Sequence, residues 1–265
     1  MSMQWLRDQA GQALDATRFL SRLPVPATTA IPPSLATTLR SAPLAGVLIA
    51  AGPALLLVLA IRAGLPSLVA ATLAIGSLLL ATGALHEDGL ADTADGFGGG
   101  RNLGRKLDIM RDSRIGTFGA LALGTSLLLR VACLQTLVER CGPWNAALAL
   151  LAAAVLSRAM MLVPLTLLPP ARADGLARAA APDSTAPLAS ALAVGLPLSS
   201  LLAFRAVPDG LQIVAALLFS AAAALGISRL ARHHIKGVTG DVVGTAQQAA
   251  ELAFLLTLCA YAARS

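Results

Sequence analysis

Seven apolar runs of membrane-crossing length constrain this chain more than any other feature. Residues 43–61 and 63–85 carry no charge and are separated only by Arg62. Residues 115–138 are interrupted once, by Arg130, and residues 141–168 once, by Arg158. Residues 184–204 and 210–228 are again uncharged, and a weaker run, 242–263, contains Gln247, Gln248 and Glu251. About 20 apolar residues suffice to cross the hydrocarbon of a bilayer. Charged residues make up 13% of the chain, where a soluble domain carries about 25%. These runs predict an all-α, polytopic transmembrane bundle of about seven spans, formed by residues 1–265 as one membrane-embedded domain.

The basic residues predict the orientation. With an odd number of spans, the N-terminus and the segments 87–114, 172–183 and 229–241 share one side and hold 14 Lys and Arg residues, against four on the other. The positive-inside rule then places the N-terminus and these segments in the cytoplasm, as in a multi-pass protein of a bacterial inner membrane. The basic residues are dispersed and aromatic residues are few, so nucleic acid is not an expected partner. Attraction to anionic membrane lipid is a second use for the excess charge. The first long apolar run starts near residue 43, too late for an ordinary cleaved signal. Cys133, Cys141 and Cys259 suggest neither a disulfide framework nor a zinc site.

Residues 1–34 read as an interfacial helix followed by a Pro-rich linker (Pro24, Pro26, Pro32, Pro33). Over residues 3–22, Leu6, Ala10, Ala13, Thr17 and Leu20 share one face, a pattern that suits a helix lying in the membrane interface. Arg130 and Arg158 either snorkel from helix ends or face a polar interior. Arg158, in mid-run, is the better candidate to meet a substrate phosphate.

The chemistry concentrates in residues 86–116, HEDGLADTADGFGGGRNLGRKLDIMRDSRIG. On a helix, Asp88, Asp92 and Asp95 fall on one stripe about 60° wide. The glycines at 96 and 98–100 break the helix, and Asp108 and Asp112 share a stripe on the piece that follows. Aligned carboxylates repel one another unless a cation joins them. An all-oxygen set (Asp88, Asp92, Asp95 and Asp112, with Asp108 as an outer contributor) favours Mg²⁺, with Mn²⁺ as an alternative. Arg111 and Arg114 beside it could hold phosphate oxygens. His86 is either a general base or a polar residue at the membrane interface. An ordinary solvated loop accounts for any one of these acids, but less well for their alignment. The parts together predict metal-assisted phosphoryl transfer in a cytoplasmic acidic segment, 86–114, with His86, Asp88, Asp92, Asp95 and Asp112 as catalytic residues.

A second polar cluster, residues 232–251, brings Lys236 and Asp241 to the same side. Its glycines 237, 240 and 244 would let backbone N–H groups approach an anion near a helix start. Lys236 and Asp241 are therefore added to the phosphate-binding candidates, and Gln247, Gln248 and Glu251 suggest a buried polar lining.

HEDGLADTADG (86–96) followed by LDIMRDSRIGTFGALAL (107–123) resembles the adenosylcobinamide-GDP ribazoletransferase (cobalamin-5′-phosphate synthase) family. FLSRLPVP (19–26) and TGDVVGTAQQAAE (239–251) are also similar to family segments, so the resemblance spans nearly the whole chain. It implies Mg²⁺-dependent transfer of phosphocobinamide from adenosylcobinamide-GDP to α-ribazole or α-ribazole 5′-phosphate, with release of GMP, in cobalamin biosynthesis. Glu87 stands where the family carries an apolar residue and is left out of the ligand set. Lys236 stands where the family carries Gly. A partial similarity to CDP-alcohol phosphotransferases makes lipid head-group transfer the alternative enzyme reading. A cation transporter is disfavoured, because the carboxylates cluster at one boundary rather than at mid-membrane. A homo-oligomer is compatible with all three.

Overall fold

The computed structural model of the chain describes residues 3–26 and 34–262. Pro32 and Pro33 of the expected linker lie outside them. Among the described residues every regular element is a helix, as the apolar runs require. In chain order they are α1 (Met3–Leu20), α2 (Leu35–Thr38), a 3-10 turn (Leu39–Ser41), α3 (Ala42–Arg62), α4 (Ser67–Thr82), α5 (Leu85–Gly99) and α6 (Leu103–Ile109). There follow α7 (Thr117–Cys141), α8 (Pro143–Met160), α9 (Leu162–Leu167), α10 (Leu176–Ala179), α11 (Ala186–Ala206), α12 (Gly210–Ile235) and α13 (Gly240–Ala262).

Among the described residues, six helical stretches are long and apolar enough to cross a membrane, at residues 35–62, 117–141, 143–167, 186–206, 210–235 and 240–260. The remaining apolar run, residues 63–85, forms α4, which turns by 88° into α5. With 16 residues, α4 is about 24 Å long, shorter than the hydrocarbon thickness of about 30 Å. The turn is made by two consecutive left-handed residues, Gly83 (φ 65°) and Ala84 (φ 58°). Glycine adopts that conformation freely, whereas Ala84 holds it at a cost of about 1–2 kcal/mol. The acidic α5 therefore leaves the line of α4 and packs beside the first halves of α7 and α13.

Helix α8 runs through the centre, packed against α3, α7, α11 and α13. Its Ala149, Ala152, Ala153 and Ala154 are fully buried, and such small side chains let helix backbones approach closely in lipid. On the outside, Leu211 and Leu80 are 81% and 79% exposed, an apolar face suited to hydrocarbon rather than water. Helix α1 packs on α3 through buried Ala13, Ala16, Thr17 and Leu20, while Ala10 of the expected stripe faces outward.

The segments grouped by charge meet at one end of the bundle. Arg22 N–H donates to Ala81 O at 2.7 Å, and Ala171 N–H to Val238 O at 2.9 Å. Gly116 N–H donates to Asp95 at 2.7 Å. At the opposite end Ser67 of α4 bonds Glu139 of α7.

Candidate functional site

Two helices from distant parts of the sequence build the site. Where α5 crosses the start of α13, a side chain on Gly89 would put its Cβ 2.8 Å from Asp241 O, and one on Gly244 would meet His86 Cα at 3.2 Å. Only glycine at both positions allows backbones this close. Thr245 Oγ clamps the crossing by donating to Gly89 O at 3.0 Å. Thr239 caps α13, accepting from Val242 N–H at 3.4 Å and donating to Asp241 Oδ2 at 3.1 Å. The crossing brings Asp88 and Asp92 of α5 beside Asp241 of α13.

Partial burial, then the charges of Asp88, Asp241 and Asp95, push the Asp92 carboxyl up to about 7. Arg172, reaching in from the segment between α9 and α10, opposes that shift. Among the described residues, no three His, Cys, Asp or Glu side chains converge closely enough to hold a metal ion by themselves. The oxygen-only donors still suit Mg²⁺, which typically takes one or two carboxylates and fills its shell with water and substrate phosphate.

Beside the carboxylates lies a cavity of about 190 Å³ with two kinds of wall. His86, Asp88 and Asp241 make the polar wall; Phe19, Leu20, Met161 and Leu165 are part of the apolar one. His86 is 3% exposed, and its Nε2 has no hydrogen-bond partner. An orphaned polar atom at a cavity wall asks for a ligand or water.

The other expected site residues are placed elsewhere. Both carboxylate oxygens of Asp95 are engaged, accepting from Gly116 N–H at 2.7 Å and Gly119 N–H at 2.8 Å. Asp95 thereby ties α5 to the N-terminus of α7, where the helix dipole favours an anion. Asp112 forms an ion pair with Arg114 at 2.6 Å, whose hydrogen bonds hold its carboxyl well below the usual range. Arg111 pairs with Asp174 at 2.6 Å. Asp108 is exposed on α6, and Lys236 is exposed at the left-handed end of α12 (φ 57°). The structure thus joins Asp88, Asp92, His86 and Asp241, while Asp108, Asp112, Arg111, Arg114 and Lys236 lie outside that group.

Below the site runs a buried polar layer. Arg130 forms ion pairs with Glu87 at 2.8 Å and Glu251 at 2.7 Å. Gln248 donates to Glu87 at 2.9 Å, and Gln247 to Glu251 at 2.7 Å and to Ser157 at 2.9 Å. Arg130 and Arg158 are each 1% exposed, so neither snorkels. Arg158 donates to Ala154 O at 3.0 Å within this layer and is absent from the cavity wall. The expected lining by Gln247, Gln248 and Glu251 is present; the sequence reading missed Glu87 and Arg172. Opposite charges within separate apolar runs, Arg130 and Glu251, were the available signal for this layer, since each needs a partner at membrane depth.

Fold and site together define a membrane-protein helical bundle with an oxygen-rich, half-apolar site at one end. The family model for cobalamin-5-phosphate synthase matches residues 12–259, and the chain belongs to that family. A protein named adenosylcobinamide-GDP ribazoletransferase from Azorhizobium caulinodans is 51% identical over 252 residues, covering 93% of this chain and 94% of that one. A protein of the same name from Mesorhizobium japonicum is 45% identical, covering 90% and 88%. One from Rhizobium etli is 44% identical, covering 97% and 98%. No solved structure matches the chain. The family resemblance drawn from HEDGLADTADG and its companion segments is met.

Proposed function

We propose that this chain transfers the phosphocobinamide moiety of adenosylcobinamide-GDP to α-ribazole or α-ribazole 5′-phosphate and releases GMP. The observation that carries the reading beyond the family name is the two-faced cavity beside the carboxylates. A flat apolar base with a ribose needs an apolar wall next to polar groups, and a pyrophosphate needs a polar margin.

One or two carboxylates among Asp88, Asp92 and Asp241 are the groups we assign to hold Mg²⁺, or Mn²⁺ in its place, with water and substrate phosphate completing its shell. When bound, the ion would neutralise charge on the phosphates. The chain's own residues orient the partners. The Gly89–Gly244 crossing fixes the spacing of the three carboxylates, and the apolar wall holds the acceptor's base. A ribose hydroxyl of the acceptor attacks the cobinamide-linked phosphorus. The new O–P bond forms as the bond to GMP breaks, and the hydroxyl proton passes to the protein. His86 at the cavity wall, or a carboxylate left free of the ion, is the group we assign to that proton.

The test is GMP release by purified protein in proteoliposomes. It is expected with adenosylcobinamide-GDP only when α-ribazole or its phosphate is present, and it is expected to stop with chelator. CMP release from a CDP-linked donor would favour lipid head-group transfer instead, and metal flux without nucleotide would favour transport.

The site is assigned to the cytoplasmic face of a bacterial inner membrane, supported by the 14-to-4 Lys/Arg asymmetry between the two sets of loops. Reporter fusions after Arg114 are expected to report cytoplasm and fusions after Arg205 periplasm. A periplasmic signal after Arg114 would reverse the topology.

A further inference from the structure

Arg172 stands apart from the arginines that pair with neighbouring acids. Its position is built rather than incidental. Pro170 forms an isolated parallel bridge with Val238, through bonds from Ala171 N–H to Val238 O and from Val238 N–H to Pro169 O, each at 2.9 Å. The bridge requires glycine at 237, where an added Cβ would lie 2.5 Å from Pro169 O and 2.8 Å from Ala171 N. On its other side Arg172 Nη2 donates to Leu107 O of α6 at 2.7 Å. Arg172 lies two residues beyond Pro170, and Asp241 three beyond Val238.

The guanidinium is thus anchored but not used up. Nε is buried without a hydrogen-bond partner, and of five N–H donors one nitrogen is spent on Leu107. Its charge acts on both Asp92 and Asp241, yet among the described residues it forms no ion pair with either within 4.0 Å. A cation that the bridge anchors near carboxylates, without pairing with them, suits an anion bound between the two. A phosphate takes guanidinium donors on one edge, and a divalent cation would link its other oxygens to the acids.

We infer that Arg172, held by the Pro170–Val238 bridge, binds the pyrophosphate of the nucleotide donor across from Asp88, Asp92 and Asp241. This rests on the transferase reading above and assigns to Arg172 a task expected of Arg111, Arg114, Arg158, Lys236 and Asp241.

The experiment compares wild type with Arg172→Gln, Arg172→Lys and Gly237→Ala, each shown to be monodisperse and helical. Arg205→Gln at the far end of the bundle serves as control. Arg172→Gln is expected to raise the KM for the donor about 10- to 100-fold, the effect of losing a charge-assisted hydrogen bond, with the acceptor KM unchanged. Lys lacks the fork that serves Leu107 and a phosphate at once, so Arg172→Lys should lie between. Gly237→Ala should reproduce the donor defect with Arg172 intact, because its Cβ displaces the bridge. Equilibrium dialysis with labelled inorganic pyrophosphate reads binding without turnover, and Arg172→Gln should weaken it by a similar factor. Unchanged donor KM and unchanged pyrophosphate binding in the two Arg172 variants would overturn the assignment. A wild type that binds pyrophosphate through Arg172 but releases no GMP would instead overturn the transferase reading alone.

Discussion

Asp92→Asn is expected to slow GMP release by about 10²- to 10³-fold, the size seen when one group stabilising transition-state charge is removed. Asn has nearly the shape of Asp, so the loss would be one of charge. Raised Mg²⁺ should restore part of the activity if weakened metal affinity is the cause. Stability should not fall, because Asp92 lies among like charges and its ionised form is disfavoured in the fold. The sign can be checked in chelator. The folded carboxyl is raised from 3.8 to about 7, so its contribution to stability is complete below 3.8 and disappears as pH climbs through about 7. The wild type should therefore melt earlier as pH rises over that window, and Asp92→Asn should lack this component. Asp95→Asn should behave in the opposite way, since an amide oxygen replaces only one of two acceptors for Gly116 and Gly119. Its defect should appear first in unfolding free energy, by about 1–3 kcal/mol, with turnover reduced less than in Asp92→Asn. Near-normal turnover in Asp92→Asn would remove Asp92 from the chemistry.

The contrast between Asp92 and Asp95 also marks how far the sequence could be read. Helical periodicity put Asp88, Asp92 and Asp95 on one stripe, and α5 carries them so. The periodicity of one helix is silent on what lies across from it. Asp95 is taken by the N-terminus of α7, while Asp92 faces α13, a partner about 150 residues away in sequence. The same limit applies to Arg172. Nothing within residues 168–175 announces a site; its position comes from a bridge to Val238 and a carbonyl on α6. Arg111 and Arg114 looked more suitable because they adjoin the acidic stripe, yet each has an acid close enough to pair with. The apolar runs were legible because the bilayer imposes one length and one polarity on every span. The break at Gly83–Ala84 was less so: no charge interrupts residues 63–85, and Ala84 is not a residue that favours a left-handed turn.

The largest expected loss of stability lies in the polar layer. Arg130→Met would leave Glu87 and Glu251 facing each other without their shared cation, buried beneath the site. Truncating one partner of a buried ion pair costs about 3–5 kcal/mol, mostly from the charge left behind. The layer also has a positional role: Glu87 is on α5, Arg130 on α7 and Glu251 on α13, so the ion pairs join the three helices that frame the carboxylates. Removing one charge of each sign should differ from removing one alone. In Arg130→Met with Glu87→Gln the charges balance, because Glu251 is left with the buried Arg158, and the new amide retains a hydrogen-bonding partner in Gln248. Unfolding in mixed detergent micelles should place the double variant much nearer to wild type than Arg130→Met. Because the Gly89–Gly244 contact remains, its donor KM should stay close to that of wild type. If Arg130→Met unfolded no more readily than wild type, the layer would not hold α5, and the crossing with α13 alone would have to set the spacing of Asp88, Asp92 and Asp241.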